Sequence, residues 1–338
     1  MGPEGRSRIA FTAACLHIVT PAGVFLSGPY AESAFASASF YGIWAYICYV
    51  YYQRAQKPAK RKAGLITASG ILFLLATTAR SNGVLWGLFL VCDALEIIQQ
   101  RRFQFTELLL IGFGGSCIVL GFIGPQYVAY KQFCNDEIAR AWCSRKLPSI
   151  YGWVQDQYWE VGFLRYWTCS NLPLFAIALP VLGLLIVTSY IALSKPEAVL
   201  QELQLASAGN TRRSKEVDLV SGEYFSGCVR RLALPQLALA VLAATNFHVQ
   251  IINRISSGYP LWYIFLAVGI YCRSADERSS TEKRSTHRES KHAASSYTGR
   301  STWMKHLVQG PHSQIIVRGM IMYAIIQGGL YASFLPPA

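Results

Sequence analysis

Between two apolar runs, Leu232–Thr245 and Leu261–Cys272, lies NFHVQIINRISSGYPLWYI (Asn246–Ile264), which carries Asn246, His248, Gln250, Asn253, Arg254 and Ser257. Polar groups at a membrane boundary are costly unless they bind a ligand, line water or pair with one another. Wound as a helix, the stretch puts Asn246, Gln250, Asn253, Arg254 and Ser257 on one face and Phe247, Ile251 and Ile255 on another. His248 then points away from the polar face. Drawn out as extended chain, the stretch sets His248, Gln250 and Arg254 on a common side instead. Gly258 and Pro260 interrupt either conformation just before the next apolar run. The stretch is therefore either one wall of a binding site or an interfacial amphipathic connector.

Other polar residues stand at the ends of apolar runs. At RSNG, Arg80 closes one run, and Ser81 or Asn82 is placed to cap the helix that follows. A helix N-terminus beside an arginine suits a phosphate, because free N–H groups and a guanidinium converge on the anion. A snorkelling arginine beside an ordinary cap has the same pattern. In SGPYAES, Glu32 lies between apolar runs with only Ser and Tyr beside it, and either hydrogen-bonds a hydroxyl-rich ligand or pairs with Arg80 or Arg254. SIYGWVQDQYWEVGFLRYWT supplies Trp153, Tyr158, Trp159, Tyr166 and Trp167, with Gln155, Asp156 and Glu160 among them. Such a mixture stacks on sugar rings or forms the aromatic belt of a membrane interface. Asp93 lies inside an apolar run, an intramembrane acid for which the sequence names no partner. The chain holds no DxD, GxGxxG, P-loop, HExxH or GxSxG, so the carboxylate clamp for a metal-bound nucleotide-sugar is missing.

The elements that hold these residues are apolar helices. Of 338 residues, 52% are hydrophobic and 14% charged, against about a quarter charged in soluble proteins. The net charge of +13 sits in connectors between apolar runs, a pattern of membrane topology and not of nucleic-acid binding. Nine cysteines form no CxxC pair, which argues against a zinc site. Nine spans are expected: Ile9–Leu26 (interrupted at Pro21), Ala34–Tyr52, Ala63–Ala79, Val84–Ile98, Leu108–Tyr130, Leu172–Leu193, Leu232–Thr245, Leu261–Cys272 and Ile315–Phe334. Residues 194–231 and 273–312 read as disordered connectors, leaving 1–193, the pair 232–272 and 313–338 as the membrane segments. The basic, acid-free QRAQKPAKRK puts its loop in the cytosol, and counting crossings puts QQRRFQF and both connectors there too. SGPYAES, RSNG, the loop 131–170 and NFHVQIINR then share the opposite, luminal face, as walls of one cavity. Cys134 and Cys143 both lie in that loop, where a disulfide is expected if the face is oxidising.

Four blocks resemble a known family in its own order: HIVTPAGVFLSGPYAESAFA (His17–Ala36), ARSNG (Ala79–Gly83), SIYGWVQDQYWEVGFLRYW (Ser149–Trp167) and HVQIINRISSGYPLWY (His248–Tyr263). They are similar to those of GPI mannosyltransferase 2, its fungal members most of all, and the likeness covers most of the chain outside the two connectors. The resemblance implies an all-α polytopic membrane protein of GT-C type, with eight or nine transmembrane helices, in the endoplasmic reticulum. It implies transfer of the second mannose, in α-1,6 linkage, from dolichyl-phosphate mannose to the GPI-anchor precursor in the lumen. No cofactor or metal is implied beyond that lipid donor. The implied partners are the two glycolipids, membrane lipids and a small membrane subunit, with no nucleic acid.

With the residues read in that light, Arg80 and Arg254 are expected at the donor phosphate, and Asn82, His248, Gln250 and Trp159 line the pocket. Inversion at the sugar calls for a carboxylate that deprotonates the acceptor hydroxyl. Family members carry that aspartate in a Trp-Asp pair on a luminal loop ahead of the HIVTPAGVF block. This sequence has no such pair and opens at that block, so it reads as N-terminally truncated, with Glu32 the fallback base. Two further readings stay open: a catalytically inactive relative that holds a partner subunit, and a transporter, which would set broken helices and charges near the bilayer centre.

Overall fold

The computed structural model describes residues 3–55, 58–99, 105–135, 140–159, 161–197, 199, 215–271 and 311–333. Among these, every regular element is helical: α1 (Pro3–Ile18), α2 (Glu32–Arg54), α3 (Ala59–Ala79), α4 (Gly87–Gln99), α5 (Phe105–Phe133), α6 (Ile150–Trp159), α7 (Leu172–Ser194), α8 (Lys215–Thr245), α9 (Leu261–Tyr271) and α10 (Pro311–Ala332). Six helical stretches of the described residues are long and apolar enough to cross a membrane: Ala59–Ala79, Ser81–Gln99, Phe105–Phe133, Cys169–Ser194, Tyr224–Thr245 and Gln314–Ala332. The chain is thus an all-α, multi-pass membrane protein. α1, α2 and α9 supply the remaining expected runs. α2 has the length, 23 residues, but its Ser and Tyr content dilutes its hydropathy. α9 rises only about 16 Å over its described length, short of a bilayer core.

By mutual contact the chain divides into two units. One comprises Val24–Val187 and Arg231–Tyr259 and carries all the polar motifs; the other comprises Met1–Gly23, Thr188–Arg230 and Pro260–Pro337. In the first, α2, α3, α4 and α5 form a bundle. α3 and α5 touch backbone to backbone: a Cβ on Gly70 would stand 2.9 Å from the Cα of Gly114, so position 70 does not tolerate a side chain. Glycine at such crossings lets helices associate through close backbone contact where lipid offers no hydrophobic drive. At the far end from the polar motifs, Lys62 Nζ (3.0 Å) and Gln53 Nε2 (2.7 Å) share the Glu107 carboxylate, which ties α2, α3 and α5 together. In the second unit, Tyr263 donates to Thr20 Oγ1 at 2.7 Å and meets His17 edge-on.

Several boundaries differ from the sequence reading. The run Ile9–Leu26 is not one helix: α1 ends at Ile18, and a separate turn, Val24–Ser27, follows. Pro21 lacks an N–H to continue the ladder, so the chain breaks ahead of it. α3 starts at Ala59, inside the basic run expected as loop, with Pro58 preceding it. The expected disordered connector 194–231 is helical over its second half, because α8 begins at Lys215. Its Arg231 is buried and paired inside the bundle, so a charge that reads as the end of a span lies within one. Residues 201–214 lie outside the described residues, as does all of the expected connector 273–312 but its last two.

Candidate functional site

Glu32 opens α2, where a carboxylate is favoured by the free N–H groups of the first turn. Its side chain is fully buried. Arg80 follows the last residue of α3 in extended conformation (φ −149°, ψ 130°), which reverses the chain and turns the side chain back toward α2. Arg80 Nη1 donates to Glu32 Oε1 at 2.7 Å. Arg254 donates to the same oxygen through Nε (2.9 Å) and Nη2 (2.7 Å), and its guanidinium lies over the Phe25 ring at 3.7 Å. The expected pairing of Glu32 with Arg80 or Arg254 is therefore pairing with both. Two guanidinia on one carboxylate leave a surplus positive charge, and both arginines retain access to solvent (17% and 22%). Two buried polar atoms here have no partner among the described residues: Glu32 Oε2 and Arg80 Nε.

RSNG folds as a 3₁₀ turn, Ser81–Trp86, and neither Ser81 nor Asn82 caps it. Ser81 instead donates to Tyr151 Oη at 2.8 Å, which joins the turn to α6. Asn82 faces Tyr259: its Nδ2 donates to Tyr259 Oη (3.3 Å), which donates to the Asn82 carbonyl (3.1 Å). Tyr259 stacks on Trp86 with ring centroids 4.8 Å apart, Trp86 stacks on Phe73, and the Trp86 indole N–H donates to Ser39. A Cβ on Gly258 would lie 2.3 Å from Phe35 Cε1, so the chain passes the α2 side chains as closely as glycine permits. This buried lattice fixes Arg80 and Arg254, which lie a few residues from Asn82 and Tyr259, against one acid. Tyr259 and Trp86 were not singled out in the sequence; a tyrosine directly before Pro260 was the available signal.

The stretch after α8 is neither a continuous helix nor a strand. His248 is extended (φ −62°, ψ 109°), Val249–Ile251 is 3₁₀, Ile252–Ile255 is one α-turn, and Ser256–Gly258 is 3₁₀ again. Most of it is buried, including Val249, Ile252, Asn253 and Ser256 through Tyr259, which an interfacial connector would not be. Arg254 and Gln250 consequently go to different partners. Gln250 Oε1 accepts from Tyr166 Oη at 3.0 Å, while His248 Nε2 bonds the Trp159 carbonyl. The His248 ring is flanked by Tyr166 (4.5 Å) and Trp159 (5.5 Å).

The aromatic segment is sewn to the end of α8 by Gly162 N–H to the Asn246 carbonyl, Leu164 N–H to Thr245 and the Trp167 indole N–H to Ala244. Asp156 accepts from Arg165 (2.6 Å) and Arg145 (3.5 Å), and the Arg165 bond chiefly holds its carboxyl below the usual carboxylate range. Glu160 lies outside the described residues. Cys134 and Cys143 form a disulfide, with Cα atoms 5.6 Å apart. All four polar motifs are thus linked: Glu32 to Arg80 and Arg254, Ser81 to Tyr151, and Tyr166 to Gln250.

Asp93 has a partner that the sequence did not name. Its Oδ1 accepts from Arg231 Nε (3.1 Å) and Nη2 (2.8 Å), and its Oδ2 accepts from Tyr46 (2.8 Å). Among the described residues no three His, Cys, Asp or Glu side chains come together as a metal site requires.

A family model described as Mannosyltransferase (PIG-V) matches residues 5–338. GPI mannosyltransferase 2 of Aspergillus oryzae is 41% identical over 98% of this chain and 66% of its own length. The Aspergillus fumigatus protein of that name is 36% identical over 98% of this chain and 68% of its own length. GPI alpha-1,6-mannosyltransferase 2 of Rattus norvegicus is 28% identical over 77% and 56%. The chain spans about two thirds of the length of these two Aspergillus relatives. No solved structure matches it.

Proposed function

From its membership of the PIG-V mannosyltransferase family, we propose that this chain takes part in adding the second mannose to the GPI-anchor precursor, in α-1,6 linkage, from dolichyl-phosphate mannose. The observation that carries the reading onto this chain's residues is the Arg80–Glu32–Arg254 cluster. A lipid-phosphate donor leaves a phosphate when the sugar departs, and the surplus guanidinium charge stabilises that developing anion. Planar guanidinia present paired N–H donors to phosphate oxygens, which lysine does not. Such a donor needs no DxD clamp, in keeping with its absence from the sequence.

Glu32 holds the two arginines in register. A general base must reach the acceptor hydroxyl, whereas Glu32 Oε1 already accepts three bonds and Oε2 is buried. No base is assigned to this chain. A luminal site in the endoplasmic reticulum membrane is proposed with the reaction, and the Cys134–Cys143 bridge supports an oxidising compartment for that loop. The test is transfer of radiolabelled mannose from dolichyl-phosphate mannose to the one-mannose precursor in microsomes from cells lacking their own second GPI mannosyltransferase. The chain is expressed alone and joined to the part of a relative that it does not span. Transfer by the joined form that Arg80→Ala abolishes is the expected result. Transfer undiminished by Arg80→Ala refutes the phosphate assignment, and no transfer by the joined form refutes the reaction.

A further inference from the structure

Beside the ionic cluster lies a second group of side chains whose unused hydrogen-bonding atoms define a different ligand chemistry. A backbone carbonyl only accepts, so His248 Nε2 carries the proton in its bond to the Trp159 carbonyl, and Nδ1 is left with a lone pair. That Nδ1 has no partner among the described residues, and the ring is held between Tyr166 and Trp159. Tyr166 Oη donates to Gln250 Oε1, which fixes the amide's orientation and leaves both Nε2 hydrogens without a partner among the described residues. Trp159, 53% exposed, stands beside the His248 ring. Leu164, between Trp159 and Tyr166 in the chain, is held in the left-handed region at φ 57°. A β-carbon there costs on the order of 1 kcal/mol, and such strain is retained where surrounding bonds over-determine the turn. Here the bonds from Gly162, Leu164 and Trp167 to residues 244–246 do so.

We infer that His248, Gln250 and Trp159 form a pyranose subsite, distinct from the phosphate site, that reads a pair of adjacent sugar hydroxyls. One hydroxyl donates to His248 Nδ1 and its neighbour accepts from Gln250 Nε2, while the apolar C–H face of the ring lies on the Trp159 indole. A fixed acceptor, a fixed donor and an aromatic plate complement a vicinal diol on a sugar ring, and a phosphate has no use for the lone pair of Nδ1. Arg254 follows His248 by six residues of 3₁₀ and α rise, roughly 10 Å, the span of a sugar with its phosphate. That the sugar is mannose rests on the proposed reaction; that the subsite takes a pyranose does not. The sugar is either the donor's mannose or one on the acceptor glycolipid.

The test uses the whole chain in lipid nanodiscs, with methyl α-mannopyranoside as probe and saturation-transfer NMR as readout. Binding is expected in the wild type, with about tenfold loss in Trp159→Ala and in Gln250→Glu. Gln250→Glu keeps the acceptor for Tyr166 and so the local fold, but removes the donors. Equal saturation in wild type and Gln250→Glu, or none in the wild type, overturns the subsite. Where transfer is measurable, a raised KM for the glycolipid alone puts the acceptor's sugar here, and a raised KM for dolichyl-phosphate mannose alone puts the donor's. Both KM values unchanged in Gln250→Glu overturns the assignment. Loss of probe binding in the variants without any transfer by the joined form upholds the subsite and refutes the reaction.

Discussion

At Arg254 two interactions share one guanidinium: two donors reach Glu32 Oε1, and the flat face lies on Phe25. Lysine keeps the charge and loses both the fork and the plate. Arg254→Lys is therefore expected to reduce mannosyl transfer about as much as Arg254→Ala, by roughly ten- to a hundredfold, the worth of charge-assisted bonds. Accumulation of the one-mannose GPI intermediate measures it, and normal assembly with lysine shows that charge alone suffices. Glu32→Ala leaves two arginines facing each other across a buried gap. A loss of about 3–5 kcal/mol in stability is expected, read as a lowered melting temperature in detergent, because a broken buried pair leaves uncompensated charge. The types and rough neighbours of this cluster were legible in the sequence, since Glu32, Arg80 and Arg254 were its conspicuous charges on one face. The division of labour was not. Asn82 was expected in the pocket and instead engages Tyr259, because a 3₁₀ turn in place of a capped helix points its amide at that phenol.

Among the elements, α8 shows where periodicity misleads. Its apolar run begins at Leu232, yet the helix starts at Lys215 and carries Arg231 into the bundle, where Asp93 and Glu96 receive it. A charge marks the end of a span only if nothing neutralises it, and its partner lies 138 residues away on α4. Asp93→Ala is expected to destabilise the protein by about 3–5 kcal/mol, whereas Asp93→Leu combined with Arg231→Met recovers most of that loss. Thermal unfolding in detergent distinguishes the two, and equal losses would assign the pair a role beyond ion pairing. The disulfide was legible because two cysteines nine residues apart share one polar loop. Neither thiol is expected to label with maleimide in unreduced microsomes, and closing so short a loop contributes about 2–3 kcal/mol. Labelling of both without reductant refutes the bridge.

For the whole molecule, six of the nine runs expected from the sequence are helices long and apolar enough to cross a membrane, because those runs are bounded by polar or basic residues over distances that a bilayer sets. The sequence did not show the division into two units, which groups Val24–Val187 with Arg231–Tyr259 across a gap in the chain. The proposed topology has a direct check. Ser144→Asn with Lys146→Thr creates an Asn-Arg-Thr acceptor at exposed positions, and a glycan sensitive to endoglycosidase is expected if the loop is luminal. An unglycosylated product places the loop, and the polar network with it, on the cytosolic side.

The separations within the two ionic clusters also impose a schedule on biosynthesis. Glu32 receives Arg80 after 48 residues of synthesis and Arg254 only after 222. Asp93 has the Tyr46 hydroxyl from the outset but waits 138 residues for Arg231. At about 5–20 residues per second, that wait is roughly 7 to 28 s. During it the nascent chain holds an acid in the membrane without its cation, while Glu32 and Arg80 are already paired. The half of the ionic cluster that closes early is therefore a scaffold, onto which a stretch made much later, with Arg254 at its centre, is received.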